Sequence, residues 1–287
     1  MKAARPVLRG PRLGNEPGLP DGSRHTGSDG VEVAGRHLLA VIDQQTRVVL
    51  GQLAVDGKTS EINRFAPLLD TVTGIDLAGV VITADALHTQ RDHVTDLHAR
   101  GAHWVLTVKG NQPRLRRQLA QLPWRDVAEG HRSVETGHGR REIRVLKVVT
   151  IAAGIEFPHA RQAVQITRRT RPVSARTGRK GRWRTETVYA VTSLALGSAS
   201  PAQLADYLRG HWSIENQLHH CLDVTFADDR RSIRSEQGAQ NYALVTRYAL
   251  SMLKREPTKM SVAMKRRKAT LSEAYLLDVL TSGMPQV

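Results

Sequence analysis

The segment Val80–Gly110, VVITADALHTQRDHVTDLHARGAHWVLTVKG, decides the fold class. A short apolar run, Val80–Ala84, ends in Asp85, a helical pattern follows over Thr89–Arg100, and a second apolar run covers His103–Val108. Strand, helix and strand within about 30 residues predict a βαβ unit, whose parallel strands are buried on both faces. The predicted fold class is therefore α/β.

Upstream of this unit, the pattern predicts a hairpin and a short helix. Residues 1–35 carry repeated Gly and Pro turn signals and are expected to be irregular. Two apolar runs, Arg36–Ile42 and Arg47–Val55, flank a polar turn and predict two antiparallel strands. Glu61–Leu69 is predicted as a helix with Ser60 as its N-cap.

Downstream, the sequence changes character near residue 131. Pro113 opens a helix that should run to about Leu122. Residues 131–197 are rich in Ile, Val, Thr and Arg, alternate in polarity, and predict a β-rich insertion. The predicted organisation is an irregular N-terminal remnant (1–35), the first part of an α/β core (36–130), the insertion (131–197) and a helical second part of the core (198–287).

The C-terminal part is predicted to be helical. Ser200 as N-cap, Pro201 at the first helical position and a Gln three residues after the cap predict a helix over Pro201–Cys221. Two more helices are expected over Ala239–Lys254 and Leu271–Leu280.

Charge points to a polyanionic partner. The chain has 42 Lys and Arg against 27 Asp and Glu, a net charge of +15. Nucleic acid is the commonest cellular polyanion, so DNA or RNA is the expected partner. A membrane is not expected, because no apolar run approaches the roughly 20 residues that span a bilayer. The single cysteine, Cys221, excludes an internal disulfide and fits a reducing cytosol.

Asp85 is the first candidate for chemistry. It follows a strand that is predicted to be parallel and buried, and ligands of open α/β sheets gather beyond the carboxyl ends of such strands. A carboxylate at this position could bind a metal ion. It could equally cap the turn into the next helix, and the sequence leaves both readings open.

Glu215 is the second candidate. By three- and four-residue spacing it shares a helix face with Leu208, His211, Leu218 and Leu222. A carboxylate within an apolar stripe must be neutralised, paired or bound to metal. An ion pair with an arginine is the plain alternative. Carboxylate-only sites suit Mg²⁺ or Mn²⁺, and two such ions could promote phosphodiester chemistry.

Basic and neighbouring aromatic residues occur in several separate clusters, as phosphate contacts require. Any one cluster could simply be a solvated surface, which is less plausible for all of them at this net charge. Trp183, between basic residues, could stack on an unpaired base or pack at a sheet edge. The arginines at 168, 169 and 171 end a predicted strand. The DNA-binding candidates are Lys109, Arg140, Arg141, Arg182, Arg184, His211, Trp212, Arg266 and Arg267.

Five blocks of the sequence together resemble the transposases of bacterial insertion sequences. Val81–Gln90 and Val105–Gln112 resemble the second-carboxylate block of the branch that includes the H-repeat-associated proteins. His211–His220 and Leu222–Phe226 resemble that branch's third-carboxylate helix, and Gly137–Arg140 fits its β-rich insertion. The resemblance runs from about residue 36 to the C-terminus.

The resemblance implies a ribonuclease-H-like catalytic core with a DDE triad that binds two Mg²⁺ (or Mn²⁺) ions. It implies DNA cleavage and strand transfer at the terminal repeats of an insertion sequence, by a homodimer on DNA in the bacterial cytoplasm at the nucleoid. Asp85 and Glu215 match the second and third triad positions. The Tyr, Arg and Lys that often surround the Glu have no counterpart, because Leu208, His211 and Leu222 occupy those offsets.

The first carboxylate of the triad is missing. The family carries Asp-Gly-Lys ahead of Leu-Arg-Gly on its first core strand, whereas Ala4, Arg5 and Pro6 stand at those positions ahead of Leu8-Arg9-Gly10. The family's N-terminal helical region is also lacking, so the chain is expected to be truncated or to have its true start upstream. The candidate substitutes, none of which occupies a comparable position, are Asp21, Asp29 and Asp43.

Four functional outcomes are therefore open. The chain is expected to be a DDE transposase with impaired activity. It could instead be a catalytically dead DNA-binding remnant, a nuclease without end specificity, or a chain that does not fold stably because its first core strand is incomplete.

Overall fold

The structure is a computed structural model, and it describes residues 6–9, 25–26, 32–33, 37–46, 48–55, 58–137, 139–174, 177–214, 221–226 and 236–282. The strands are β1 Pro6–Arg9, β2 His25–Thr26, β3 Glu32–Val33, β4 His37–Asp43, β5 Val49–Val55, β6 Val81–Ala84, β7 His103–Val108, β8 His131–Gly137, β9 Arg140–Thr150, β10 Gln162–Pro172 and β11 Arg184–Thr192. The helices are α1 Lys58–Asn63, α2 Phe65–Asp70, α3 Arg91–Ala99, α4 Pro113–Ala120, α5 Pro201–Ile214, α6 Glu236–Arg255, α7 Val262–Leu271 and α8 Glu273–Ser282, with a 3-10 helix at Ala86–His88 and a π-helical turn at Cys221–Thr225.

The chain forms two compact units. The first unit contains Ile75–His211, and the second combines Pro6–Gly74 with Trp212–Val287. The four-segment organisation inferred from the sequence remains a prediction.

The first unit is built on a six-stranded mixed sheet in the order β6-β7-β11-β10-β9-β8. β6 and β7 are parallel, and every other neighbouring pair is antiparallel. All four residues of β6 are buried, as the continuous apolar run requires. Gly101 ends the connection after α3 with φ +68°, a conformation that an L side chain rarely adopts. The predicted α/β class, with its βαβ unit and β-rich region, is confirmed.

Helix α5 covers one face of this sheet. Ser200 and Gln203 form the expected capping box: the Ser200 amide donates to Gln203 Oε1 (2.9 Å), and the Gln203 amide donates to Ser200 Oγ (3.2 Å). The buried face of α5 packs with sheet residues in one apolar cluster, formed by Val81, Val105, Leu146, Val164, Ile166, Ala190, Leu194, Leu204, Tyr207 and Leu208. The described helix ends at Ile214; residues 215–220 of the predicted Pro201–Cys221 helix lie outside the described residues.

The second unit contains the antiparallel strands β1, β4 and β5. The predicted hairpin is thus confirmed as β4 and β5. The expectation that 1–35 is wholly irregular is wrong, because β1 pairs with β4 and β2 pairs with β3. Four-residue and two-residue strands between Gly- and Pro-rich stretches of sequence give too short a pattern to be distinguished from loop.

The helices of the second unit differ in two places from expectation. Ser60 lies inside α1 and is not an N-cap, because the helical stretch starts at Lys58 and breaks at Arg64. Helix α7 was not predicted; its basic run Lys265–Lys268 hides any amphipathic period. Ser261 caps α7 by accepting a hydrogen bond from the Met264 amide (3.3 Å).

A buried ion pair joins the last helices. Lys265 Nζ lies 3.1 Å from Glu256 Oε2, and both side chains are almost fully buried. Tyr275 Oη donates to the same Glu256 oxygen (2.8 Å). Around them, α6, α7 and α8 build an apolar cluster that includes Leu250, Leu253 and Val279.

Candidate active site and nucleic-acid interface

Asp85 lies directly beyond β6, at the carboxyl end of the parallel pair. Its backbone is extended, and its Oδ1 accepts a hydrogen bond from the Leu87 amide (3.0 Å), so it caps the 3-10 helix. The side chain is half-buried, and within the described part of the chain Oδ2 accepts no hydrogen bond and forms no ion pair. The capping role is therefore real, but it uses only one of the two carboxylate oxygens.

The 3-10 helix that Asp85 caps carries a buried imidazole, that of His88. His88 has no exposed surface, and burial lowers its pKa to about 4, although the charge of Asp85 acts in the opposite direction. His93 Nδ1 lies 3.1 Å from the His88 carbonyl oxygen, and the two rings are 5.5 Å apart. At neutral pH the ring of His88 is uncharged. Sequence reasoning missed both histidines, whose only signal is their place in the Val81–Gln90 block and the helix after it.

Of the other candidate carboxylates, only Asp43 lies within the described residues. Glu215 lies outside the described residues, as do Asp21, Asp29 and Ala4. Asp43 ends β4, where its partner across the ladder is Pro6 of β1. Its Oδ1 accepts from the Gln45 amide (2.9 Å) and its Oδ2 accepts from Thr46 Oγ1 (2.8 Å). Both oxygens of Asp43 thus hold the hairpin turn.

Arg140 and Arg141 are adjacent in sequence but lie on opposite faces of the sheet, since strand side chains alternate. On the first face, Glu142 is 5% exposed and is surrounded by guanidinium groups. Arg168 donates to Glu142 Oε2 through Nε (3.0 Å) and Nη2 (2.8 Å), Arg144 pairs with Oε1, and Arg140 Nε lies 3.8 Å from Oε2. We call this side the glutamate face; its members are Arg140, Glu142, Arg144, Arg168 and Glu186.

The pKa of Glu142 is shifted downward. Burial alone would raise this pKa, but the hydrogen bond from Arg168 and the charges of Arg144, Arg168 and Arg140 outweigh it. Arg168 also reaches Glu186 (3.9 Å). The arginines of the glutamate face are therefore largely neutralised by carboxylates of the same sheet.

The opposite face carries arginines without carboxylates. Arg141 of β9 stands directly across from Arg171 of β10. The guanidinium carbons of Arg169 and Arg171 lie 5.0 Å and 4.6 Å from the centre of the half-buried Trp183 ring. Among the described residues, no Asp or Glu pairs with any of these three arginines. We call this side the tryptophan face; its members are Arg141, Arg169, Arg171, Trp183 and Thr185.

The remaining DNA-binding candidates are scattered. Lys109 is exposed at the end of β7, and Arg182 and Arg184 are exposed next to Trp183. His211 is 4% exposed, and the side chain of Trp212 lies outside the described residues. In the second unit, Arg266 packs over the Phe226 ring (4.9 Å) and donates to the Thr225 carbonyl, beside the exposed Arg267.

Two negative findings apply to the described residues. They contain no group of three or more His, Cys, Asp or Glu side chains placed to hold a metal ion. Nor do they contain a helix that combines the length and apolar character needed to cross a membrane.

Comparison with known proteins identifies relatives of this chain. The protein YbfL of Escherichia coli K12 is 26% identical over 257 residues, covering 86% of this chain and 66% of its own length. The "H repeat-associated putative transposase YhhI" of the same strain matches with the same identity and coverage. YncI of Escherichia coli O157:H7 is 27% identical and is covered over 63% of its length. The chain thus spans about two thirds of the length of these curated relatives.

A match to a solved structure was also found. A piggyBac transposase synaptic complex with hairpin DNA matches with a TM-score of 0.46 and 13% identity, covering 100% of this chain and 58% of that one.

The family assignment rests on a match to a family model. The model of the transposase DDE domain family matches residues 8–252, well over half of the chain. That range includes Asp85, Glu215 and the whole sheet of the first unit. The chain therefore belongs to the transposase DDE domain family.

Proposed function

We propose that this chain is a DNA transposase that acts by metal-dependent strand cleavage and transfer at insertion-sequence ends. The observation that supports it is the state of Asp85, which lies beyond a buried parallel strand with one carboxylate oxygen engaged and the other open. Asp85 and Glu215 would hold Mg²⁺ or Mn²⁺, within a ribonuclease-H-like core.

The residue chemistry fits a hard divalent cation. Asp85 offers an anionic oxygen whose orientation is already fixed by the Leu87 amide, and Mg²⁺ is commonly bound through one or two carboxylates. A bound pair of ions would activate a water or 3′-hydroxyl and stabilise the leaving oxygen of a phosphodiester. His88 is uncharged at neutral pH and adds no competing cation next to Asp85.

DNA would be held, in this proposal, by the tryptophan face. Like charges directly opposite each other in a sheet destabilise the pair, and Arg141 faces Arg171 with no carboxylate among the described residues to offset them. A phosphate between such guanidinium groups supplies the missing anion through charge-assisted hydrogen bonds. Lys109, exposed at the end of β7, would add a contact near Asp85. Assembly as a homodimer on DNA is part of the same proposal.

A second candidate is a DNA-binding protein without catalysis. Ala4 stands where the family has its first carboxylate, and Asp43 uses both oxygens to hold a turn. A site without the first carboxylate lacks a ligand that both metal ions would share, so catalysis in this copy should be impaired. Such a protein could compete with an intact transposase for the ends of an element.

Cleavage of supercoiled DNA in Mn²⁺ tests the catalytic proposal. The chain is compared with a version carrying Ala4→Asp, Arg5→Gly and Pro6→Lys. Nicking by the restored version alone supports the triad and an inactive native copy. Equal nicking by both shows that another carboxylate serves. Binding without nicking by either favours the second candidate, and cleavage of random sequences as readily as element ends indicates a nuclease.

Asp85→Asn separates capping from metal binding. Asparagine caps a helix as well as aspartate, because its side-chain oxygen accepts the same hydrogen bond. The variant should keep the thermal stability of the parent but lose Mn²⁺ affinity and, in the restored version, nicking. Unchanged Mn²⁺ binding in Asp85→Asn would reduce Asp85 to a capping residue.

A further inference from the structure

The loop that carries Asp85 is held by two side-chain amides from the next loop of the sheet. Asn111 Nδ2 donates to the Ala86 carbonyl (2.5 Å), and Gln112 Nε2 donates to the Thr89 carbonyl (2.8 Å). Both amides follow β7, whereas Asp85 follows β6. The loops at the carboxyl ends of the two parallel strands are thus joined by hydrogen bonds in addition to those of the β6–β7 ladder.

One peptide group links Asn111 to Asp85. The carbonyl of Ala86, which accepts from Asn111, and the amide of Leu87, which donates to Asp85 Oδ1, belong to the same peptide unit. The plane of that unit fixes the direction of the N–H that holds the carboxylate. Hydrogen bonds in such a chain also polarise one another, so the donation from Asn111 strengthens the one to Asp85.

Other contacts secure the far end of the loop. Thr89 Oγ1 donates to the carbonyl of Thr107 in β7 (2.7 Å), and both residues are buried. Gln90 Nε2 donates to the Leu87 carbonyl (2.8 Å), and its Oε1 lies 3.3 Å from Gln112 Nε2. The backbone carbonyls of Ala86, Leu87 and Thr89 thus each accept a hydrogen bond from a side-chain amide.

Gln112 does not cap its own helix, α4. It occupies the N-cap position of α4, where a side chain ordinarily accepts a hydrogen bond from the first turn, but no such bond is made. Its amide is directed instead at the Thr89 carbonyl. The Gln112 side chain therefore contacts the Asp85 loop and makes no capping hydrogen bond to its own helix.

We infer that Asn111 and Gln112 are positioning residues that set the orientation of the Asp85 carboxylate for metal binding. This inference rests on the proposed function of Asp85 as a metal ligand. Neither amide contacts the carboxylate itself, so they act through the Ala86–Leu87 peptide and the Thr89 carbonyl. Outer-shell partners of metal ligands commonly contribute about 10- to 100-fold to metal affinity.

The test uses Asn111→Ala and Gln112→Ala, with Gln121→Ala as the matched control. Gln121 is an exposed glutamine at the end of α4. For each variant, Mn²⁺ affinity is measured from the paramagnetic resonance of free Mn²⁺, hydrogen exchange is measured at the Leu87 amide, and thermal unfolding checks the fold.

Asn111→Ala should bind Mn²⁺ about tenfold more weakly, with faster exchange at Leu87 and an unfolding temperature close to that of the parent. Gln112→Ala should show the same changes to a smaller extent, and Gln121→Ala should show none. In the version with the restored first carboxylate, excess Mn²⁺ should recover the nicking rate of Asn111→Ala, which a folding defect would not allow.

Two results bear on different claims. Parent-like Mn²⁺ affinity and parent-like Leu87 exchange in both variants would overturn the positioning role. Absence of Mn²⁺ binding by the version with the restored first carboxylate would count against the metal role of Asp85 itself, and the exchange rate at Leu87 would still decide whether the two amides control the loop.

Discussion

Replacing Arg141, Arg169 and Arg171 together by alanine removes three positive charges from the tryptophan face. None of the three pairs with a described carboxylate, so the change should disturb DNA binding more than folding. The matched control is the triple variant Arg100→Ala, Arg114→Ala and Arg209→Ala. It removes the same charge, but each of those arginines is ion-paired in the first unit, with Asp96, Glu156 and Glu135 respectively.

The expected magnitude follows from counterion release. Each phosphate contact contributes about 0.9 to the slope of log K against log salt, so three contacts contribute about 2.7. Between 50 and 200 mM salt, a fourfold change, the parent should lose about 40-fold more affinity than the variant. Loss of the arginine contacts with the Trp183 ring adds a smaller penalty at all salt concentrations.

Fluorescence anisotropy with a labelled duplex, titrated at four salt concentrations, measures these slopes. The tryptophan-face variant should show a slope shallower by two to three units, and the control should change by less than one. Equal slopes for both triple variants would mean that the protein binds DNA through its overall charge. A slope unchanged from the parent would remove the tryptophan face from the interface.

Three further perturbations test the stability side of the structure. Glu256→Gln leaves the buried Lys265 ammonium without its anion and should lower the free energy of unfolding, measured with urea, by about 3 to 5 kcal/mol. A second change, Lys265→Met, should recover part of this loss, whereas a loss below about 1 kcal/mol in Glu256→Gln would contradict the buried pair. Burial lowers the pKa of His88 from 6.5 to about 4, so the ring is neutral in the folded protein and the free energy of unfolding should fall by roughly 3 kcal/mol as the pH falls from 6.5 toward 4. The urea midpoint of His88→Gln should depend less on pH over that range, and parallel curves for the parent and the variant would refute this. Glu142→Gln should lower the unfolding temperature, because Arg144 and Arg168 lose their shared anion; an unchanged temperature would show that these pairs contribute nothing.

The βαβ unit could be predicted from sequence because its signals are local and redundant. Buried parallel strands read as continuous apolar runs, and Gly101 and Pro113 mark the ends of the connections. The position of Asp85 at a strand end followed directly. The sequence shows that Arg140 and Arg141 lie on opposite faces of a strand, but it does not show which face carries carboxylates. Which of the two arginines is paired with a carboxylate could therefore not be predicted.

Other features depend on long-range partners. Strand β1 is a strand because β4 lies beside it, and four residues carry no usable period of their own. Helix α7 buries Lys265 against Glu256, and a basic residue facing inward contradicts the pattern that sequence reading relies on. The amides of Asn111 and Gln112 read as turn residues, and their targets lie more than 20 positions away.

The registers of the first sheet also fix a distance along its strands. Ala84, which precedes Asp85, is level with Leu106 of β7, and Leu106 is level with Val191 of β11. Arg169 is level with Thr185, six residues further along β11. Asp85 is one residue beyond Ala84 in the same direction, so at about 3.4 Å per residue Arg169 lies roughly 17 Å from it along the strand direction. In the proposed function, DNA that runs along the strands would be held about five base pairs, or half a helical turn, from the phosphate to be cut.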